Sequence, residues 1–582
     1  MPLHRVSRRN FLSVSAAAAG IALLPASDSW AADLPMPRAS GALEEKLDSY
    51  VAAYLPAMNA PGLTLGLTDL KETRRVACYG YANLDQRLPV APDHLFQIGS
   101  ITKSFVALVI LQLHEEGKLD LQAPVLDYLP DLPIVTEYGT VTIHHLLTHT
   151  SGLPDNIGIF TADPAGRLVQ GFTPGQHFHY CNPGFAILGL LTVRLDGRPW
   201  RILAQERILT PLGMSSTRPV ITTADRAHAA IGYEPFWDDQ IYPRQGRLAP
   251  APNLVMDDTA GCIASTPADM ARYLRMLLNR GQGPDRRIVS EESFARMSTP
   301  WIKADEFSPT ASYGYGIAVD TLDGHKILRH TGGMVAFASS IHVDLDGGVA
   351  AFASINAMQG YRPTAVTEYA VRLLRAEHES RTLPAAPSIA DPREVSNAAD
   401  YAGTFTASDG HTLVFAARER RLLLIDGPTS VPLQHTEGDD FISTIPGIFA
   451  DHTFVFKRKS AAAGKTANIS NAPQPVVEVA FGSDWYTAPS YDGPRSFTVP
   501  AHYAAFTGRY QSVSPWAGDS LVYVLKGKLM LDGEPLTPLG DRLFRMGDEE
   551  WLPETVEFQH VFQGQARVMR IAGLDLWRVD VG

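Results

Sequence analysis

The sequence predicts an α+β chain in which a mixed domain of strands and helices is followed by two small antiparallel β-domains. Three observations carry this expectation. Strand-like runs stand on both sides of a long apolar helical stretch, the chain turns to short strands and turns after residue 377, and that second part repeats itself. A length of 582 residues allows two or three cores, 45% of the residues are hydrophobic, and the formal net charge is -12. An acidic chain of this kind lacks the basic surface that nucleic acid requires, so nucleic acid is not an expected partner.

Residues 1–31 read as a leader. Arg8-Arg9-Asn10-Phe11-Leu12 follows a basic start, residues 13–24 are apolar and alanine-rich, and Ser29-Trp30-Ala31 puts small residues at a cleavage point. This is the pattern of a twin-arginine signal, which implies export of the folded chain to the periplasm or the medium. No later segment is long and apolar enough to span a bilayer, so no membrane partner is expected once the leader is removed.

Residues 40–378 read as the mixed domain. Residues 62–68 and 73–81 form a predicted hairpin, and residues 104–113 are apolar all round and end at Gly117, a natural helix stop. Thr266, Pro267 and Asp269 read as cap, first-turn proline and first-turn acid of a helix over 268–278. Strands are predicted at 326–329, 337–344 and 349–355, the last two joined by Asp346-Gly347-Gly348, and an amphipathic helix over 362–377 closes the domain.

The chemistry-bearing residues fall in three clusters along this domain. Ser100 lies at the first turn of the apolar helix, and Lys103, three positions on, shares its helix face and can reach its hydroxyl. The helix N-terminus supplies unpaired N–H groups where negative charge would develop. Tyr180 and Asn182 form the second cluster, and His330-Thr331-Gly332-Gly333 the third. Alone, Ser100 is a plausible N-cap and Tyr180 a packed aromatic; together with Lys103, Asn182 and His330 they describe an acyl-transfer site. Lys103 and Tyr180 share the proton that Ser100 would lose. Both have ordinary pKa values near 10, so the sequence leaves open which of them is the base.

The ordered set S-x-x-K, Y-x-N and H-T-G resembles the serine β-lactamase and penicillin-binding-protein superfamily, and the Y-x-N form is similar to its class C β-lactamase branch. Stretches such as Leu146-Leu-Thr-His-Thr-Ser-Gly-Leu-Pro154 and Tyr313-Gly-Tyr-Gly-Ile317 are similar to that branch in the expected order. The resemblance implies a β-lactamase-like antiparallel sheet with an all-helical lobe, roughly residues 100–290. It also implies a serine hydrolase with Ser100, Lys103 and Tyr180 catalytic and the N–H groups of Ser100 and Gly333 as oxyanion donors. Asn182, His330, Thr331 and Gly332 would receive the substrate. His330 stands where many relatives carry lysine. A histidine is mostly neutral at pH 7, which weakens recognition of a free carboxylate.

No cofactor is implied. His144, His145 and His149 suggest a metal site, with His145 and His149 four apart on a possible helix face; without a glutamate base between them a packed segment is the expected reading, and no metal ligand is assigned. Three cysteines, Cys78, Cys181 and Cys262, allow at most one disulfide.

Residues 379–397 are a proline-rich linker, and the β-domains are expected at 398–495 and 500–582. Tyr401-Ala-Gly-Thr-Phe405 returns as Phe506-Thr-Gly-Arg-Tyr510, residues 422–427 return as 528–533, and Trp485 corresponds to Trp577. Small up-and-down barrels fit this repeat. An insertion at 460–475 reads as a hairpin loop. The three-domain layout resembles that of bacterial D-aminopeptidases, in which a loop of the last barrel reaches the active site; Asp548, Glu549 and Glu550 are the residues here that could face a substrate ammonium.

These features predict an exported serine hydrolase forming a Ser100 acyl-enzyme, a peptidase or amidase on peptides or amides containing D-amino acids. The alternatives are a carboxylesterase or β-lactamase of the same superfamily, or a catalytically silent peptide-binding regulator. The expected partner is a small peptide, amide or ester, and the oligomeric state is open.

Overall fold

The computed structural model describes residues 29–155, 167–235, 246–252, 257–357, 362–445, 447–459, 474–512, 518–571 and 573–579. The leader up to residue 28 and most of the insertion at 460–475 lie outside them.

Nine antiparallel strands make the sheet of the first domain. Its order runs Ile302–Lys303, Ser312–Tyr313, Ala318–Leu322, His325–Met334, Phe337–Asp344, Val349–Ile355, Gly62–Asp69, Thr73–Asn83, Leu88–Pro89. Gly62–Asp69, Phe337–Asp344 and Val349–Ile355 are buried along their whole length. Helices on both faces explain this: Ala42–Ala57 and Thr364–His378 pack together, the latter against the central strands, and Pro267–Leu278 packs on the same strands. An antiparallel sheet with one wet face would instead alternate apolar and polar side chains.

The apolar run after Ser100 forms helix Thr102–Glu115, preceded by a 3-10 turn at Gly99–Ile101. Residues Thr102 to Leu111 of this helix are all buried, so it is the central member of the largest hydrophobic core. Strand His325–Met334 is longer than the predicted 326–329. Its pairing with Phe337–Asp344 continues from Ile327 to Met334, so Gly332 and Gly333 are ladder residues.

Each C-terminal domain is a closed barrel of eight antiparallel strands. The first runs from Gly403–Thr406 to Asp484–Thr487 and closes by pairing Thr406 with Thr487; the second runs from Gly508–Gln511 to Leu574–Val579 and closes by pairing Arg509 with Val579. Repeated positions do repeated work: Tyr401 and Phe405 in one barrel, Phe506 and Tyr510 in the other, are buried in the two barrel cores. Lys526 of the second barrel pairs with Glu478 of the first at 2.6 Å and lies over Trp485.

Candidate active site

Lys103 is fully buried, and its Nζ has three neighbours. Ser100 Oγ lies at 3.0 Å, Asn182 Oδ1 at 2.7 Å and the carbonyl oxygen of Ala260 at 2.8 Å. The last two can only accept. A neutral amine donating its two hydrogens to them therefore directs its lone pair at the Ser100 hydroxyl. Burial favours that neutral form, bringing the Lys103 pKa down to about 7 against the opposing charges of Asp155 and Asp258.

The Tyr180 ring centre is 4.8 Å from Lys103 Nζ, and the Ser100 hydroxyl is near enough to act on its phenol. Burial raises this phenol well above the ordinary value, with the nearby Ser100 hydroxyl opposing. Of the two groups left open by the sequence, Lys103 is thus the one shifted toward a free base at neutral pH, and Tyr180 remains a protonated phenol.

The segment that presents Tyr180 is clamped by His149. The His179 N–H donates to the His149 carbonyl at 2.8 Å, the Cys181 N–H to His149 Nδ1 at 3.0 Å, and the imidazole lies 4.3 Å from the Tyr180 ring. His149 sits outside the short helix Ile143–Leu147 in the left-handed region, so it does not share a helix face with His145. Among the described residues no group of three or more His, Cys, Asp or Glu side chains is arranged to hold a metal ion. The three cysteines are free thiols. Cys181 caps helix Asn182–Asp196, its sulfur accepting from the Gly184 N–H.

Asn182 is oriented from behind. Its backbone N–H and side-chain Nδ2 donate to Asp155 Oδ1 at 2.9 and 3.2 Å, which leaves Oδ1 for Lys103. Asp155 and the Ala260 carbonyl are site residues that the sequence reading missed. Asp155 directly follows a motif stretch and could have been found there, whereas a backbone carbonyl carries no side-chain signal.

The strand with Gly332 and Gly333 lies against the Ser100 turn. A Cβ on Gly332 would fall 1.8 Å from the Ile98 carbonyl, and one on Gly99, itself in the left-handed region at φ 54°, would fall 2.5 Å from the Gly333 nitrogen. This contact sets the Gly333 backbone beside the nucleophile turn. Gly332→Ala is expected to destabilise the domain by about 1–3 kcal/mol and to slow labelling of Ser100, read by thermal melting and by the rate of fluorophosphonate labelling.

His330 corrects the expectation placed on it. Its side chain is buried rather than presented to substrate, with Nδ1 donating to the Thr331 carbonyl at 2.6 Å and Nε2 accepting from the Tyr313 hydroxyl at 2.9 Å. Burial, and then the Lys103 charge, take its pKa down to about 3, so it is neutral. Thr331 and Gly333 alternate with it as the half-exposed positions of the strand.

The acidic loop is also redrawn. Asp548, Glu549 and Glu550 are exposed, and Asp548 pairs with Lys528 at 3.2 Å. The same loop touches the catalytic domain further on, through Trp551 and Glu554.

The Beta-lactamase family model matches residues 47–376, more than half of the chain. "Penicillin-binding protein 4" of Amycolatopsis lactamdurans is 29% identical over 346 residues, covering 55% of this chain and 87% of that protein. Among solved structures, the octameric penicillin-binding protein homologue from Pyrococcus abyssi superposes with a TM-score of 0.52 at 24% identity, covering 76% of this chain and 99% of that one, a likeness of fold. The chain belongs to the Beta-lactamase family, within the superfamily of serine β-lactamases and penicillin-binding proteins, and its family members are serine hydrolases.

Proposed function

We propose that this chain is an exported serine hydrolase that forms an acyl-enzyme on Ser100 and acts as a peptidase or amidase on peptides or amides containing D-amino acids. The observation that carries the reading is Lys103 Nζ at 3.0 Å from Ser100 Oγ, with two acceptor-only groups holding its hydrogens.

In the proposed reaction Ser100 Oγ attacks the substrate carbonyl as its proton passes to the Lys103 lone pair. The N–H groups of Ser100 and Gly333 stabilise the oxyanion. As the tetrahedral intermediate collapses, the C–N bond breaks, and the leaving amine takes a proton from Tyr180, which is restored by Lys103. Water then attacks the ester by the same path in reverse, returning the free serine.

The substrate class rests on two supports. A neutral, buried His330 offers no cation to a terminal carboxylate, and a catalytic domain followed by two closed barrels resembles the layout of bacterial D-aminopeptidases. The twin-arginine pattern supports export. Turnover of D-alanyl amides, L-alanyl amides, p-nitrophenyl esters and a chromogenic cephalosporin by one preparation tests the class; preferential hydrolysis of the D-amides is expected, and efficient turnover of the cephalosporin alone would refute the peptidase reading.

Lys103 must be unprotonated to accept the proton, so activity rises with pH through its pKa. The expected profile of kcat/KM has an acid limb near pH 7, and no loss from Tyr180 ionisation below about pH 10. A profile that falls as pH rises from 6 to 8 would contradict this assignment.

A further inference from the structure

The loop after strand Leu543–Met546 of the second barrel enters the catalytic domain beside the Tyr180 segment. Trp551 stacks on His177 at 4.7 Å and meets Phe172 edge-on at 5.6 Å. The two backbones touch here: a Cβ on Gly171 would fall 2.4 Å from the Trp551 carbonyl and 2.9 Å from Pro553. At the end of the loop, one carboxylate oxygen of Glu554 accepts from the Asp155 N–H at 2.9 Å and from His179 Nε2 at 2.7 Å. The His179 and Glu554 side chains are only 13% and 15% exposed, so this bond is shielded from water and is stronger than a surface pair.

Both residues that Glu554 holds stand one step from the reacting groups. His179 immediately precedes Tyr180, and Asp155 receives both N–H donors of Asn182, whose oxygen holds Lys103. We propose that Glu554 is a positioning residue of the active site, a carboxylate supplied by the C-terminal barrel that fixes Asp155 and His179 and, through them, sets Asn182 and Tyr180 around Lys103 and Ser100. The site is then incomplete without the second barrel. This proposal rests on the reading of Ser100 as an acylated nucleophile.

Removing the carboxylate strips the acceptor from two donors at once and frees the ends of both supporting segments. Because the groups so loosened act in proton transfer, the loss falls on kcat more than on KM. A glutamine at 554 keeps an oxygen that can accept from the same two donors. Glu550, exposed on the same loop, provides a control.

The test compares the full chain with Glu554→Ala, Glu554→Gln and Glu550→Gln, measuring thermal melting, steady-state kinetics and the rate of fluorophosphonate labelling of Ser100. Glu554→Ala is expected to lower kcat and the labelling rate by about 10- to 100-fold while KM changes far less. Glu554→Gln should recover most of the loss, and Glu550→Gln should match the unmodified chain. Labelling of folded Glu554→Ala within twofold of the unmodified chain would overturn the proposal. So would equal losses in the alanine and glutamine variants, or a rise in KM with kcat retained, which would mark a substrate contact instead. An unmodified chain that never labels would overturn the serine hydrolase reading itself and this proposal with it, whereas a labelled chain indifferent to Glu554 overturns the positioning role alone.

Discussion

Ser100→Ala is expected to reduce kcat/KM by about 10^4-fold or more, the loss found when a covalent nucleophile is removed from a site whose other parts remain. Ser100 Oγ lies 3.0 Å from Lys103 Nζ, so the substitution removes the atom that attacks and the proton that the amine would accept. The fold should survive. Lys103 keeps its two carbonyl-type acceptors, and helix Thr102–Glu115 keeps its buried apolar surface. Thermal melting close to that of the unmodified chain, with hydrolysis reduced to background, is the expected pair of results. Retained turnover in a folded alanine variant would remove Ser100 from the chemistry.

Lys103→Met is expected to cost about 10^3-fold in kcat, in the range for loss of a positioned general base. Methionine fills similar space but cannot donate, so the Asn182 oxygen and the Ala260 carbonyl lose a buried partner. That loss destabilises the domain by about 1–3 kcal/mol. Tyr180 cannot take over near pH 7, because burial holds its phenol well above the ordinary value. The acid limb near pH 7 should therefore vanish from the residual activity. A variant that keeps the same limb would assign it to another group.

What could be read from sequence, and what could not, follows from the range of each interaction. Ser100 and Lys103 are one helical turn apart, and local geometry alone brings them within reach. Individual strands were legible from short apolar runs and the Asp346-Gly347-Gly348 turn, their union in one antiparallel sheet followed from the family resemblance, and the two barrels were legible from their internal repeat. Strand His325–Met334 extends past the predicted 326–329, because no apolar residue follows Leu328 until Met334 while pairing with Phe337–Asp344 carries the ladder through Gly332 and Gly333.

The base could not be chosen between Lys103 and Tyr180, since the choice depends on burial and on the number of acceptors around the amine. His330 was assigned to substrate by position in a motif, yet Tyr313 and its own neighbouring carbonyl occupy both of its ring nitrogens. Charge density drew attention to Asp548, Glu549 and Glu550, which face water. Glu554 is the carboxylate that reaches the catalytic domain, because the backbone near Pro553 packs directly on Gly171. A contact between residues 399 positions apart leaves no local pattern.

The central claim is that Ser100 becomes covalently acylated, and intact-protein mass spectrometry after exposure to a fluorophosphonate or to penicillin, followed by peptide mapping, tests it most directly. The account predicts one adduct per chain, located on Ser100 and absent from Ser100→Ala. No adduct on the unmodified chain, or an adduct on another residue that persists in the alanine variant, would contradict it.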